Sequence, residues 1–154
     1  MANLTIKTPA FDPGQSIPKR YTGEGEDVSP RLEWSEPPSG TKSVALICED
    51  PDAPVGIWVH WVLFNLPAST RSLDEGMPKD RELKNGARHG NNDWKQPRYR
   101  GPMPPPGKVH RYYFRVYALD KMLDLAAGAT RQQVLDAMKD HVLAQGEVMG
   151  TYRR

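Results

Sequence analysis

The sequence predicts a mainly β protein, an antiparallel β-sandwich with one C-terminal helix, and three observations lead there. Fifteen prolines and thirteen glycines cut the chain into short apolar runs, which is the punctuation of sandwiches and barrels rather than of helical bundles. Several of those runs alternate apolar and polar residues with the two-residue period of a strand. Only one segment repeats its apolar residues at helical spacing.

The strands are expected at Leu4 to Thr8, Leu32 to Trp34, Ser43 to Glu49, Ile57 to Asn65, Tyr112 to Leu119, and Glu147 to Tyr152. In the fourth, alternation puts Trp58, His60, Val62, Phe64 and Leu66 on one side. In the fifth it puts His110, Tyr112, Phe114, Val116 and Ala118 on one side and Arg111, Tyr113, Arg115 and Tyr117 on the other. Residues 79 to 100 hold many turn formers, little apolar periodicity and a basic excess, and read as a long loop that Trp94 and Tyr99 pin to the body. The stretch from Leu119 to Ala127 is a turn of helix or a loop carrying Leu123 and Leu125 inward. The helix begins at Thr130, a capping hydroxyl with Gln133 at the reciprocal position of a capping box. It continues through Val134, Leu135, Met138 and Val142, with Gly146 as its stop.

A chain of 154 residues suits one domain, 1–154, with a full hydrophobic core. Twenty-one Lys and Arg against 19 Asp and Glu give a formal charge of +2, too small to suggest a nucleic-acid or membrane-surface protein. Cys48 is the sole cysteine, so no internal disulfide forms, and Val44, Leu46 and Cys48 share one face, which makes Cys48 a core residue rather than a nucleophile. The N-terminus lacks the apolar run of a signal peptide, and no apolar stretch reaches the roughly 20 residues that span a bilayer. The expectations are therefore a mature protein equal to the whole chain, a cytoplasmic location and no stable membrane insertion.

Two segments carry the chemistry. One is Glu49-Asp50-Pro51-Asp52-Ala53-Pro54 leading to Trp58-Val59-His60-Trp61. The other is Gly101-Pro102-Met103-Pro104-Pro105-Pro106-Gly107 leading to His110-Arg111-Tyr112. Each delivers a histidine into an apolar row near the start of a strand, where a buried imidazole needs hydrogen-bond partners. Extended backbone before proline lets Asp50 and Asp52 point the same way, and the acidic loop is near enough in sequence to serve His60. As plain structure, Asp-Pro-Asp-Ala-Pro is a turn whose aspartates cap backbone amides. The proline run is a stiff apolar wall without amide donors. Together these groups suggest a small anion pocket, in which His60, His110 and Tyr112 donate to the anion while Asp50 and Asp52 orient the imidazoles or receive a cationic group.

In this order and spacing the two segments resemble the phosphatidylethanolamine-binding protein family, specifically its bacterial and archaeal Raf-kinase-inhibitor-like branch. The resemblance extends to Val28-Ser29-Pro30-Arg31-Leu32-Glu33-Trp34, to Ser43 through Pro54, and to Asn92-Asp93-Trp94. It implies a β-sandwich with short peripheral helices and a pocket for phosphate-like or carboxylate anions lined by Asp50, Asp52, His60, Pro102, His110 and Tyr112, with Pro54 shaping the acidic loop. Gly101 joins this set by allowing close approach of backbone to a ligand. The proline run admits more than one register, and Pro102 is the position the resemblance selects. The link from acidic loop to His60 is only Val55 to Val59, shorter than in eukaryotic members, so their surface partners do not transfer.

The resulting expectation is a binding protein for a phospholipid head group or phosphorylated group, with a kinase or protease as a further partner and a homodimer as its assembly. Neither cofactor nor metal is expected, since no His-x-x-x-His spacing accompanies the two histidines. The enzyme alternative is a hydrolase or lyase in which His60 or His110 is a general base oriented by an aspartate; no Gly-x-Ser-x-Gly elbow is present.

Overall fold

A computed structural model describes residues 2–154. Among the described residues nine strands form two sheets. They are β1 (Ala2–Asn3), β2 (Ile6–Lys7), β3 (Leu32–Trp34), β4 (Ser43–Ala53), β5 (Gly56–Pro67), β6 (Ser72–Leu73), β7 (Arg88–Gly90), β8 (His110–Leu119) and β9 (Val142–Tyr152). The larger sheet runs β1-β9-β8-β4-β5-β7 and the smaller β2-β3-β6. All pairings are antiparallel except β1 with β9, which is parallel. The mainly β sandwich expected from the sequence is therefore the architecture found. Among the described residues helical structure is confined to α1 (Arg131–Met138) and a 3₁₀ turn at Lys19–Tyr21.

The core follows from strand alternation. Val44, Leu46 and Cys48 of β4 and Phe114, Val116 and Ala118 of β8 face the smaller sheet, where Leu32, Trp34 and Leu73 meet them. Ala45 and Ile47 of β4 face the other way, and Val134 and Met138 of α1 cover them together with Leu123. Both faces of the central strands are thus dry, which explains why β4 reads as an almost unbroken apolar run.

Strand β5 departs from simple alternation. Cys48 pairs with Trp61 but the next residue, Glu49, pairs with Val59, so His60 is an extra residue bulged out of the ladder. A second shift lies between the pairs Val44–Leu66 and Leu46–Leu63, where Asn65 takes φ of 60°. The expected row of His60, Val62, Phe64 and Leu66 is accordingly broken. Val62 and Phe64 face α1, whereas Trp61, Leu63 and Leu66 face the sandwich interior.

Thr130 caps α1 as expected: its side chain accepts from the Gln133 amide, and the Gln133 side chain accepts from the Thr130 amide. The helix ends far earlier than its apolar spacing suggests. After Met138 the chain turns through Asp140 at φ 68°, and Val142 already pairs with Leu119. The edge of β8 needs a partner along its whole length, and covering it outweighs one further helical turn. Gly146 lies inside β9, where an added Cβ would sit 2.0 Å from the Leu4 carbonyl oxygen. The glycine admits the crossing N-terminal segment.

The 79–100 connection contains β7, paired to β5, so it is less irregular than expected. The 120–127 stretch is loop, and Leu123 is buried as foreseen. Glu49 is buried where the sequence shows no sign of it; Arg115 donates to it at 2.7 Å, and Arg131 Nε lies 3.0 Å away. No helix among the described residues is long and apolar enough to cross a membrane.

Candidate functional site

The end of β4, the start of β5 and the start of β8 lie side by side, so the residues that open or close these strands converge at one edge of the sandwich. A cavity of about 300 Å³ opens there, at the small end of the range for ligand pockets. Its floor is polar: Asp50, His60, His110 and Tyr112. Its walls are apolar. Ala53, Pro54 and Val55 come from the β4–β5 hairpin, Trp58 from β5, Trp94 from the long connection, and Met103, Pro104 and Pro105 from the proline segment.

The two histidines are held differently. Nδ1 of His110 lies 2.7 Å from Asp50 Oδ2, with both side chains about 95 % buried. The other oxygen of Asp50 accepts from the Asp52 amide at 2.7 Å. A carboxylate only accepts, so Nδ1 of the ring carries a hydrogen. Nδ1 of His60 lies 2.7 Å from the Arg100 carbonyl oxygen, and the Arg100 amide donates back to the His60 carbonyl at 3.0 Å. A carbonyl also only accepts, so His60 likewise carries its proton on Nδ1. Among the described residues neither Nε2 atom has a hydrogen-bond partner, and both rings line the cavity.

Burial lowers the pKa of His60 below the ordinary imidazole range, outweighing the Arg100 carbonyl and the charges of Asp50 and Asp27. Tyr112 is shifted upward, chiefly by burial and then by the neighbouring Asp50 charge, so its hydroxyl keeps its proton. The His60 ring is boxed edge-on by Tyr112 at 5.2 Å and by Trp94 at 5.2 Å between centroids.

The acidic loop is where expectation and geometry part. Asp52 does not point with Asp50. The ladder shifts register between Asp50 and Ala53, and Asp52 turns outward to a bidentate pair with Arg111, at 2.8 Å to both Nε and Nη2. That pairing lowers its pKa. Nor does the loop serve His60; Asp50 reaches across to His110 instead, while also capping the Asp52 amide as an ordinary turn residue would.

Gly101 and Pro102 are buried behind the wall rather than in it. The Gly101 amide donates to Asp27 Oδ1 at 2.7 Å, and the Pro102 carbonyl accepts from Gly23 at 2.9 Å. An added Cβ on Gly101 would fall 2.0 Å from the Tyr21 carbonyl oxygen. Met103, Pro104 and Pro105 face the cavity, one to three residues beyond the proline singled out by resemblance.

Trp58 and Trp94 are wall residues that the sequence reading left out of the site. Asn92 positions Trp94: its Oδ1 accepts from the amides of Trp94 and Gln96, and its Nδ2 donates to the Arg98 carbonyl. The Arg100 guanidinium stacks 4.6 Å over the Trp94 ring. No trio of His, Cys, Asp or Glu among the described residues is arranged to hold a metal ion. Cys48 is buried in the core with its thiol pushed well up by that burial.

A model of the phosphatidylethanolamine-binding protein family matches residues 7–153. A UPF0098 protein of Methanothermobacter thermautotrophicus is 50% identical over 151 residues, covering 98% of this chain and 99% of its own. Another, from Aquifex aeolicus, is 43% identical over 99% of this chain and 90% of its own. Among solved structures, the phosphatidylethanolamine-binding protein homologue CT736 of Chlamydia trachomatis superposes with a TM-score of 0.89 at 38% identity, over 100% of this chain and 99% of that one. E. coli YbcL, described as a member of the mammalian family, gives 0.90 at 30% identity over 99% of both chains. The chain belongs to the phosphatidylethanolamine-binding protein family.

Proposed function

We propose that this family member is a binding protein whose cavity takes a small oxyanion, phosphate-like or carboxylate, borne by a lipid head group or a phosphorylated group. The observation that carries the reading is the pair of buried histidines whose Nδ1 atoms are engaged by protein acceptors and whose Nε2 atoms open into one small cavity. His60, His110 and Tyr112 make the polar contacts, Asp50 positions His110, and Pro54 with Trp58, Trp94 and Met103 holds the apolar part of the ligand. Asp52, Gly101 and Pro102 act one layer out, by fixing the loops. Phosphatidylethanolamine, for which the family is named, presents a phosphate of this kind. Regulation of a kinase or protease belongs to the same reading if the pocket takes a phosphorylated side chain of that partner.

The cavity lining offers no Ser, Thr, Cys or Lys, which leaves covalent catalysis only the imidazoles, Asp50 and Tyr112. Calorimetric titration with phosphate, phosphoethanolamine and phosphotyrosine, run beside His110→Ala, tests the proposal. Saturable binding that the variant loses is the expected result; unchanged affinity in the variant removes His110 from the site.

A further inference from the structure

The proline segment that walls the cavity cannot hold itself in place. Pro102, Pro104, Pro105 and Pro106 have no amide hydrogen, so the stretch joins no ladder and is fixed by groups from elsewhere in the chain. Its near end hangs from the loop that follows the 3₁₀ turn. There the Asp27 carboxylate accepts from the Gly101 amide, and the Gly23 amide donates to the Pro102 carbonyl. Asp27 does so from a φ of 58°, a left-handed backbone that aspartate adopts more readily than most residues.

The far end hangs from Arg154. Its Nη1 donates to the Pro104 carbonyl at 3.2 Å, and its own carbonyl accepts from the Gly107 amide, also at 3.2 Å. The same guanidinium lies 3.6 Å from Glu24 through Nε, and Glu24 is in turn held by the Tyr152 hydroxyl at 2.6 Å. Arg154 thus ties the middle of the wall back to the loop that carries the near hooks. It takes no part in lining the cavity, whereas Met103, Pro104 and Pro105 all do.

Resting on the anion-pocket reading above, we infer that Arg154 is a positioning residue for this wall. It sets where Met103, Pro104 and Pro105 stand, and through them how tightly the cavity grips the apolar substituent of a bound anion, without touching the anion. The histidines of the floor are anchored independently, to Asp50 and to the Arg100 carbonyl. Wall and floor are therefore separable by experiment.

Inorganic phosphate reaches only the floor, whereas phenyl phosphate also meets the wall. Calorimetric titration of both probes into the parent, Arg154→Met and Arg154→Lys measures the two contributions apart. Methionine keeps an unbranched stem but no donor, so the parent's preference for phenyl phosphate over phosphate should fall about fivefold, the scale of one hydrogen bond. The positive charge lost with the guanidinium lies outside the cavity and weakens both probes to a similar extent, so it largely cancels in the ratio. Lysine returns a cationic donor and should recover most of the preference. Equal affinity of the parent for the two probes, an unchanged preference in Arg154→Met, or an Arg154→Lys protein no better than Arg154→Met overturns the inference and leaves the anion pocket standing. Binding of neither probe by the parent defeats the pocket reading itself.

Discussion

Replacing Asp50 by asparagine changes one atom of the floor and should rearrange the protons of its neighbour. The carboxylate accepts from His110 Nδ1 through one oxygen and from the Asp52 amide through the other. Asparagine has one acceptor and one donor end. If its oxygen faced His110, its NH₂ would oppose the Asp52 amide, donor against donor. The reverse orientation satisfies every group: the oxygen takes the Asp52 amide and the NH₂ donates to His110 Nδ1, provided the ring moves its proton to Nε2. His110 then presents its Nε2 hydrogen to the cavity from a ring with no carboxylate behind it. Losing the carboxylate that polarises and orients the ring should lower anion affinity by about 1–2 kcal/mol, the scale of one hydrogen bond, or roughly 5- to 30-fold. Calorimetry measures the loss and ¹⁵N chemical shifts of the ring report which nitrogen is protonated. An Asp50→Asn protein that binds anions as tightly as the parent, or whose His110 keeps its proton on Nδ1, would refute the assignment of Asp50 as the group that orients His110.

Gly101→Ala drives a methyl group onto the Tyr21 carbonyl oxygen at 2.0 Å, so the proline wall must shift; stability should drop by roughly 3 kcal/mol, at the upper end for overpacking, and urea denaturation together with a weakened ligand titration would show it. Acid should destabilise the fold through His60 and His89, whose pKa values burial lowers below the unfolded value near 6.5. Their contribution is complete above pH 6.5 and is lost as pH falls from there toward the folded values, because the unfolded chain takes up protons first. Melting curves between pH 5 and 7.5 should slope accordingly, and His89→Gln should flatten the slope; a slope unchanged by that substitution would exonerate His89. Thr130→Ala removes the acceptor for the Gln133 amide while leaving the amide of residue 130 on the Gln133 side chain, and should cost about 1 kcal/mol. Phe114→Ala empties a fully buried position between the sheets and should cost about 3–5 kcal/mol.

What was legible in the sequence was whatever depends on neighbours in the chain. β8 runs without a bulge from His110 to Ala118, so its alternation alone assigned every side chain to its face. Thr130 and Gln133 are three apart, so their reciprocal cap could be read directly. The length of α1 could not, because what ends it is the unpaired edge of β8, more than twenty residues earlier in the chain. His89 gave no signal either. Its Nε2 accepts from Trp61 and its Nδ1 donates to the Asp80 carbonyl, and only the fold brings those three together.

At the site, the same limit separates the two histidines. In sequence they look alike: each stands near the start of a strand with a proline-containing loop before it. His110 stays in register, and its ring projects back toward β4, where Asp50 closes the turn. His60 occupies a bulge, which releases its ring from the alternation of β5 and lets Nδ1 find the Arg100 carbonyl on a segment forty residues away. A bulge is set by the ladder that receives the strand and leaves no mark in residue type or spacing. The pattern of two inward histidines could therefore announce a polar pocket while saying nothing of the asymmetry within it. That asymmetry, a carboxylate behind one ring and a carbonyl behind the other, is written by the ladder and by the loop that meets it rather than by residue type.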